Sequence, residues 1–255
     1  LQSVSKGKER QGHIFLRQAR KAFIIMEKPL ICITGGSKGI GKALAERFHR
    51  GGWQVLACAR GAEALASLAE ALPGLQTYAC DLADKEQVKA FGAHVLSCFG
   101  APEVLVNNAG AYLPGELHRE EDEVFERLMA LNLASAYYLT KALLPSMIAR
   151  RRGSIVNMSS VAGLQAYPNG GSYSISKFAL SGFSRNLREE LKPHNIRVLT
   201  LYPGAVFTAS WEGADVEEER LMPTEDIAEL LWAACALSER SVVEEMIIRP
   251  ALGDL

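Results

Sequence analysis

Leu30-Ile31-Cys32-Ile33-Thr34-Gly35-Gly36-Ser37-Lys38-Gly39-Ile40-Gly41 is the stretch that decides the fold. Its first four residues form the short apolar run that a buried strand needs. The glycines that follow allow a tight turn and a close approach of backbone to an anion. A helical pattern runs from Lys42 to Arg50 and closes on Gly51-Gly52. Strand, glycine turn and helix in this order make a dinucleotide site, because the free N–H groups and positive end of the helix face a pyrophosphate. Gly35, Ser37, Lys38, Gly39, Ile40 and Gly41 are the expected contacts. The bland alternative is an ordinary glycine-rich connection; the strand before it and the helix after it weigh against that.

The rest of the chain repeats the alternation. Residues 54–59, 75–79, 103–107, 154–158, 196–202 and 245–249 read as strands, and 62–71, 85–99, 121–150, 173–191 and 224–237 as helices. Such alternation predicts a parallel sheet covered on both faces. Continuous apolar runs, rather than alternating ones, agree with strands buried on both sides. The 255 residues are expected to hold one α/β domain, a Rossmann-type doubly wound parallel sheet with helices on both faces.

The second strand tests the nucleotide. A carboxylate at its end would accept from a ribose 2′-hydroxyl, but the strand ends Ala59-Arg60. A guanidinium suits a 2′-phosphate, and Lys38 adds a second cation. Two basic residues and no acid favour NADP(H) over NAD(H).

Tyr173-Ser174-Ile175-Ser176-Lys177, with Ser160 upstream, carries the chemistry. A lysine four residues after a tyrosine on a helix lies one turn along the same face. Its charge is expected to favour the phenolate and to lower the Tyr173 pKa from the usual value of about 10. Ser160 can hydrogen-bond a carbonyl or alkoxide. The set suits proton transfer at an oxygen that changes between ketone and alcohol.

Thr34-Gly35-x-x-x-Gly39-x-Gly41, Asn107-Asn108-Ala109-Gly110, Asn132, Ser160, Tyr173 and Lys177, in this order and spacing, resemble the short-chain dehydrogenase/reductase family from about Lys28 to the C-terminus. The resemblance implies that Tyr173 is general acid in reduction and general base in oxidation. It implies that Lys177 also holds the nicotinamide ribose, that Ser160 orients the carbonyl, and that Asn132 holds a water in a proton relay. Asp81 and Leu82 would flank the adenine, Asn108, Ala109 and Gly110 would line the cofactor cleft, and Pro203, Gly204, Val206 and Thr208 would meet the carboxamide. Residues 203–211 and 242–250 look like those of bacterial sepiapterin-reductase-like members. The ending Arg249-Pro250-Ala251-Leu252-Gly253-Asp254-Leu255 departs from the Asp-Gly-Gly ending common elsewhere in the family.

Composition narrows the partners. A net charge of −1 with 22% charged residues argues against a nucleic-acid binder. No apolar run approaches the roughly 18–20 residues of a membrane span. The five cysteines form no C-x-x-C pair, and the five histidines lie apart, so no metal site or disulfide is expected. Cytoplasmic location follows as the expectation. Residues 1–25 carry six lysines and arginines against Glu9 alone, a local charge of +5. They read as a basic extension outside the fold, with Met26 as the functional start and 26–255 as the NADP-binding domain. The apolar middle of helix 121–150, with the helix that carries Tyr173, suggests a homodimer or homotetramer.

Strand ends in an open α/β sheet form the ligand crevice. Tyr112, Leu164, Tyr167, Phe207 and Trp211 would give it an apolar wall suited to a bulky or planar carbonyl compound. Residues 209–222 would close over it as a lid, and a pterin would call for a carboxylate from Glu212, Asp215 or Asp254. The sequence therefore predicts an NADPH-dependent carbonyl reductase with a small-molecule carbonyl or alcohol substrate. Alternatives are a 3-oxoacyl thioester reductase, an alcohol dehydrogenase running in the oxidative direction, and an NADP-sensing protein without turnover.

Overall fold

The computed structural model describes residues 28–211, 213 and 215–254. The expected basic extension, Met26 and Glu212 lie outside the described residues. Seven strands, β1 (Leu30–Thr34), β2 (Gln54–Ala59), β3 (Gln76–Ala79), β4 (Val104–Asn107), β5 (Ser154–Met158), β6 (Arg197–Pro203) and β7 (Glu245–Ile248), form one sheet. Their order is β3-β2-β1-β4-β5-β6-β7, and every pairing is parallel. The helices between them are α1 (Gly39–Arg50), α2 (Ala62–Ala71), α3 (Lys85–Cys98), α4 (Asp122–Leu128), α5 (Ser135–Arg150), α6 (Gly171–Leu191) and α7 (Thr224–Cys235).

Side chains alternate across a strand, and here that alternation builds two cores. Ile31, Ile33, Val55, Ala57, Val104 and Val106 face α1, α2 and α7, where Leu44, Phe48, Leu65, Leu68, Ile227 and Leu231 close the layer. Leu30, Cys32, Leu56, Cys58, Leu105 and Ile155 face α3, α5 and α6, against Phe91, Val95, Leu139, Leu143, Met147 and Leu187. Every residue of β1, β4 and β5 is buried, whereas the edge strands β3 and β7 are half exposed. This is why the strands read as continuous apolar runs.

The expected helix 121–150 is not regular. A π-turn, Met129–Ala134, joins α4 to α5. Asn132 sits in it, 1% exposed. Pro145 lies inside α5, where it removes one helical donor. α1 begins at Gly39, inside the glycine turn and three residues earlier than the apolar pattern suggested.

Candidate active site

The parallel sheet brings the C-terminal ends of β1, β4, β5 and β6 to one edge. Thr34, the last residue of β1, locks two of those ends together. Its Oγ1 accepts from the backbone N–H groups of Asn108 and Ala109, both at 3.0 Å. Asn108 Nδ2 donates to the carbonyls of Thr34 (2.9 Å) and Gly35 (3.2 Å). Gly36 N–H donates to Cys58 O at 3.1 Å, which sets the end of β2 beside the turn. Gly35 has φ +65°, the left-handed region that glycine tolerates. At Gly41 an added Cβ would stand 2.6 Å from Asn108 Nδ2 and 2.8 Å from Gly35 C, so only glycine fits.

α1 has no side-chain N-cap and no acidic residue in its first turn. Its first amides are therefore left to an outside acceptor. Lys38 and Arg60 are both exposed near this end of the sheet. Asp81 is partly occupied: its Oδ1 accepts from Ala83 N–H at 3.0 Å. Leu82 packs into the core, so only its backbone can face the crevice.

A cavity of about 360 Å³ opens beside the turn. Ser160, Tyr173 and Lys177 line it, together with Ile40, Asn108, Gly110, Pro203, Gly204, Val206 and Thr208. Asn132 stands just behind Gly110, where an added Cβ would lie 3.2 Å from Asn132 Oδ1 and 3.5 Å from Lys177 Nζ. Ser160 Oγ accepts from Ala162 N–H at 3.1 Å, and its hydroxyl faces the Tyr173 phenol. Asn132 is fully engaged. Its Oδ1 accepts from Ala111 N–H at 2.8 Å, and its Nδ2 donates to Ala111 O at 3.1 Å and Ser176 Oγ at 2.9 Å.

The electrostatics differ from the sequence expectation. Burial pushes the Tyr173 phenol up to about 12; the contact with Ser160 opposes this and Tyr112 adds to it. Lys177 is brought down to about 8 by burial. Its Nζ donates to Met158 O at 2.9 Å and lies 5.8 Å from the Tyr173 ring centroid. The expected lowering of the tyrosine therefore does not appear, because desolvation outweighs an ammonium aimed at a carbonyl.

On the substrate side Tyr112, Tyr167 and Trp211 line the cavity. Tyr112 packs edge-on against Tyr173, with centroids 4.9 Å apart. Phe207 and Leu164 do not line it: Phe207 is 48% exposed, its backbone paired to Met222 O. Of the carboxylates considered, Asp254 lines the cavity and Asp215 does not. Asp254 pairs with Arg249, a cavity residue the sequence reading passed over. The signal was present in the unusual ending, but nothing local showed that it folds back over Gly204. A buried relay below the site was also missed. Asn107 Nδ2 donates to Thr140 Oγ1 (3.0 Å) and Asn157 Oδ1 (2.8 Å), and Asn157 Nδ2 donates to Ser184 Oγ (2.7 Å).

The model of the short chain dehydrogenase family matches residues 29–219. The chain belongs to the short-chain dehydrogenase family. It is 34% identical over 240 residues to a sepiapterin reductase of Chlorobaculum tepidum, covering 89% of this chain and 98% of that protein. It is 38% identical over 189 residues to dehydrogenase/reductase SDR family member 7B of Bos taurus, over 70% of this chain. The match spans 58% of that bovine protein, and 62% of its mouse counterpart. Among solved structures, a metagenomic short-chain oxidoreductase in complex with NADP superposes with TM-score 0.77 at 33% identity, over 88% of this chain and 97% of that one. An alcohol dehydrogenase of Thermococcus sibiricus complexed with 5-hydroxy-NADP gives TM-score 0.82 at 29% identity, over 88% and 97%. Among the described residues no helix is long and apolar enough to cross a membrane, and no group of three or more His, Cys, Asp or Glu could hold a metal.

Proposed function

We propose that this protein is an NADPH-dependent carbonyl reductase acting on a bulky or planar ketone, with Tyr173 as general acid. The observation that carries the reading is one cavity shared by Ser160, Tyr173 and Lys177 with Ile40 of the glycine turn. The cradle at Gly35 and Gly41, the uncapped start of α1 and the exposed Lys38 and Arg60 fit a dinucleotide with a 2′-phosphate. The NADP-bound relatives support the same choice. When bound, the nicotinamide supplies the hydride.

The chain's own groups do the rest. Ser160 donates its hydroxyl hydrogen to the substrate carbonyl and holds it toward Tyr173. Tyr173 gives its proton to the oxygen as charge develops there. A phenol at about 12 is protonated throughout neutral pH, the form that reduction needs; oxidation would need the phenolate. Lys177, at about 8, still carries its charge at neutral pH and shares the cavity, where it would hold the nicotinamide ribose. Asn132 fixes the turn after β4 through Ala111, with both Nδ2 hydrogens engaged. The intact set weighs against a sensor without turnover.

A sepiapterin-like or diketone substrate is the finer reading. Tyr112, Tyr167 and Trp211 supply the aromatic wall, and Asp254 is the cavity carboxylate for which a guanidine-like edge would compete with Arg249. The exposed Phe125, Tyr137, Ile175 and Phe178 on α4, α5 and α6 support a homodimer or homotetramer. The free thiols of Cys32, Cys58, Cys80, Cys98 and Cys235 suit the cytoplasm. The test is NADPH consumption against sepiapterin, diketones, aromatic ketones and a 3-oxoacyl thioester, with NADH in parallel. Tyr173→Phe should abolish most turnover and leave NADPH binding intact. Turnover preserved in that variant would overturn the assignment.

A further inference from the structure

Glu120 lies outside the cavity, in the segment that leads into α4, yet it reaches the start of the helix that carries Tyr173. Both of its carboxylate oxygens accept from Ser172 N–H at 3.1 Å, and Oε2 also accepts from the Ser172 hydroxyl. Ser172 is the second residue of α6 and Tyr173 the third. The helix has no cap of its own, since Gly170 offers no side chain. It opens on Gly170-Gly171, residues of poor helix propensity. An uncapped first turn frays, and Tyr173 sits in that turn.

The fit around the carboxylate is close. Gly171 has φ +40°, and a Cβ there would lie 2.5 Å from Gly115 O and 2.8 Å from Glu120 Cδ. Gly115 N–H donates to Asn169 O at 3.0 Å, lacing the same segment to the residues before α6. From the other side, Tyr112 packs edge-on against the Tyr173 ring. The segment between β4 and α4 thus grips Tyr173 twice, by its neighbour in the chain and by its ring. A carboxylate also complements the positive end of the helix.

We propose that Glu120 is a positioning residue for Tyr173: its carboxylate caps α6 from a distant loop and so holds the phenol at its reacting position. The proposal rests on the reading of Tyr173 as general acid. The experiment compares Glu120→Ala and Glu120→Gln, each alone and with Tyr173→Phe, by kcat, the NADPH KM and hydrogen exchange of the unliganded chain. Glu120→Ala should lower kcat by about tenfold or more, leave the NADPH KM unchanged and speed exchange at residues 171–176 alone. Glu120→Gln, which keeps an acceptor for Ser172 N–H, should recover most of kcat. With Tyr173→Phe already present, Glu120→Ala should cost nothing further. An unchanged kcat in Glu120→Ala, or the same loss with and without the phenol, would overturn the proposal. So would unaltered exchange at residues 171–176. If no carbonyl compound is turned over by the unaltered protein, the general-acid reading fails instead, and the exchange comparison still decides whether Glu120 fixes this turn.

Discussion

Gly41→Ala is the sharpest test of the glycine turn. The added methyl would lie 2.6 Å from Asn108 Nδ2, 2.8 Å from Gly35 C and closer still to Gly35 O. Ordinary carbon contacts are about 3.5–4.0 Å, so the overlap is about 1 Å against two partners that cannot swing away. Gly35 is backbone, and Asn108 Nδ2 is tied to the carbonyls of Thr34 and Gly35. Relief requires the turn to move and those bonds to lengthen. Overpacking costs about 1–3 kcal/mol and each lost hydrogen bond about 1 kcal/mol. Alanine's better helix propensity returns about 1 kcal/mol. The net is about 2 kcal/mol, or a fall in Tm of roughly 4–8 °C for a chain of this size. A displaced turn should weaken NADPH by about thirtyfold, the equivalent of 2 kcal/mol. Gly182→Ala is the control. Gly182 lies inside α6, exposed, with nothing within 4 Å of an added Cβ. It should stabilise by about 1 kcal/mol and leave binding unchanged. Thermal unfolding and fluorescence titration with NADPH read both variants. A Gly41→Ala protein with unaltered Tm and NADPH affinity would refute the reasoning.

Exchanging Arg60 for Asp should shift preference from NADPH toward NADH, read as the ratio of kcat/KM for the two nucleotides; an unmoved ratio would remove Arg60 from the 2′-phosphate. Burial holds Lys177 at about 8 against 10.5, so the unfolded chain binds the extra proton between those values and the fold gains stability as pH rises through them. The stability of the unaltered protein relative to Lys177→Met should therefore climb from pH 8 to 10 in denaturant titrations, and a flat difference would contradict the burial argument. Phe48 is fully buried and packs edge-on against Trp53 and Trp232, with centroids 5.1 and 5.2 Å away. Phe48→Ala should cost about 3–5 kcal/mol while sparing the site chemistry in whatever fraction stays folded; a loss under 1 kcal/mol would mean that the aromatic cluster collapses freely.

The order of strands and helices was legible because period and turn chemistry are local properties. Residues 30–33 are apolar throughout, and the sheet buries them on both faces; in 154–158 Ile155, Val156 and Met158 carry the same signal around the polar Ser154 and Asn157. Glycine at 35 was legible for the same reason, since its φ of +65° suits few other residues, whereas Gly41 answers to the close approach of Gly35 and Asn108. Phe207 falls outside the cavity lining, 48% exposed, which an aromatic residue near a strand end does not reveal in a line of sequence. The direction of the Tyr173 shift was also out of reach. The spacing of Tyr173 and Lys177 shows that they share a helix face, but not that burial dominates both. The π-turn that holds Asn132 leaves no periodic trace in the apolar pattern of 121–150.

By itself the sequence determined the layered α/β architecture, the glycine turn and the presence of serine, tyrosine and lysine at workable spacing. These follow from short-range sterics and from a repeat of apolar residues that any window of the chain displays. Only the tertiary structure decided that Asp254 rather than Asp215 reaches the cavity, that Arg249 joins it there, and that Glu120 caps the helix bearing Tyr173. Each of those depends on segments distant in the chain meeting in the fold. Register and burial, set by the whole chain at once, choose among residues that are chemically equal when read in a line.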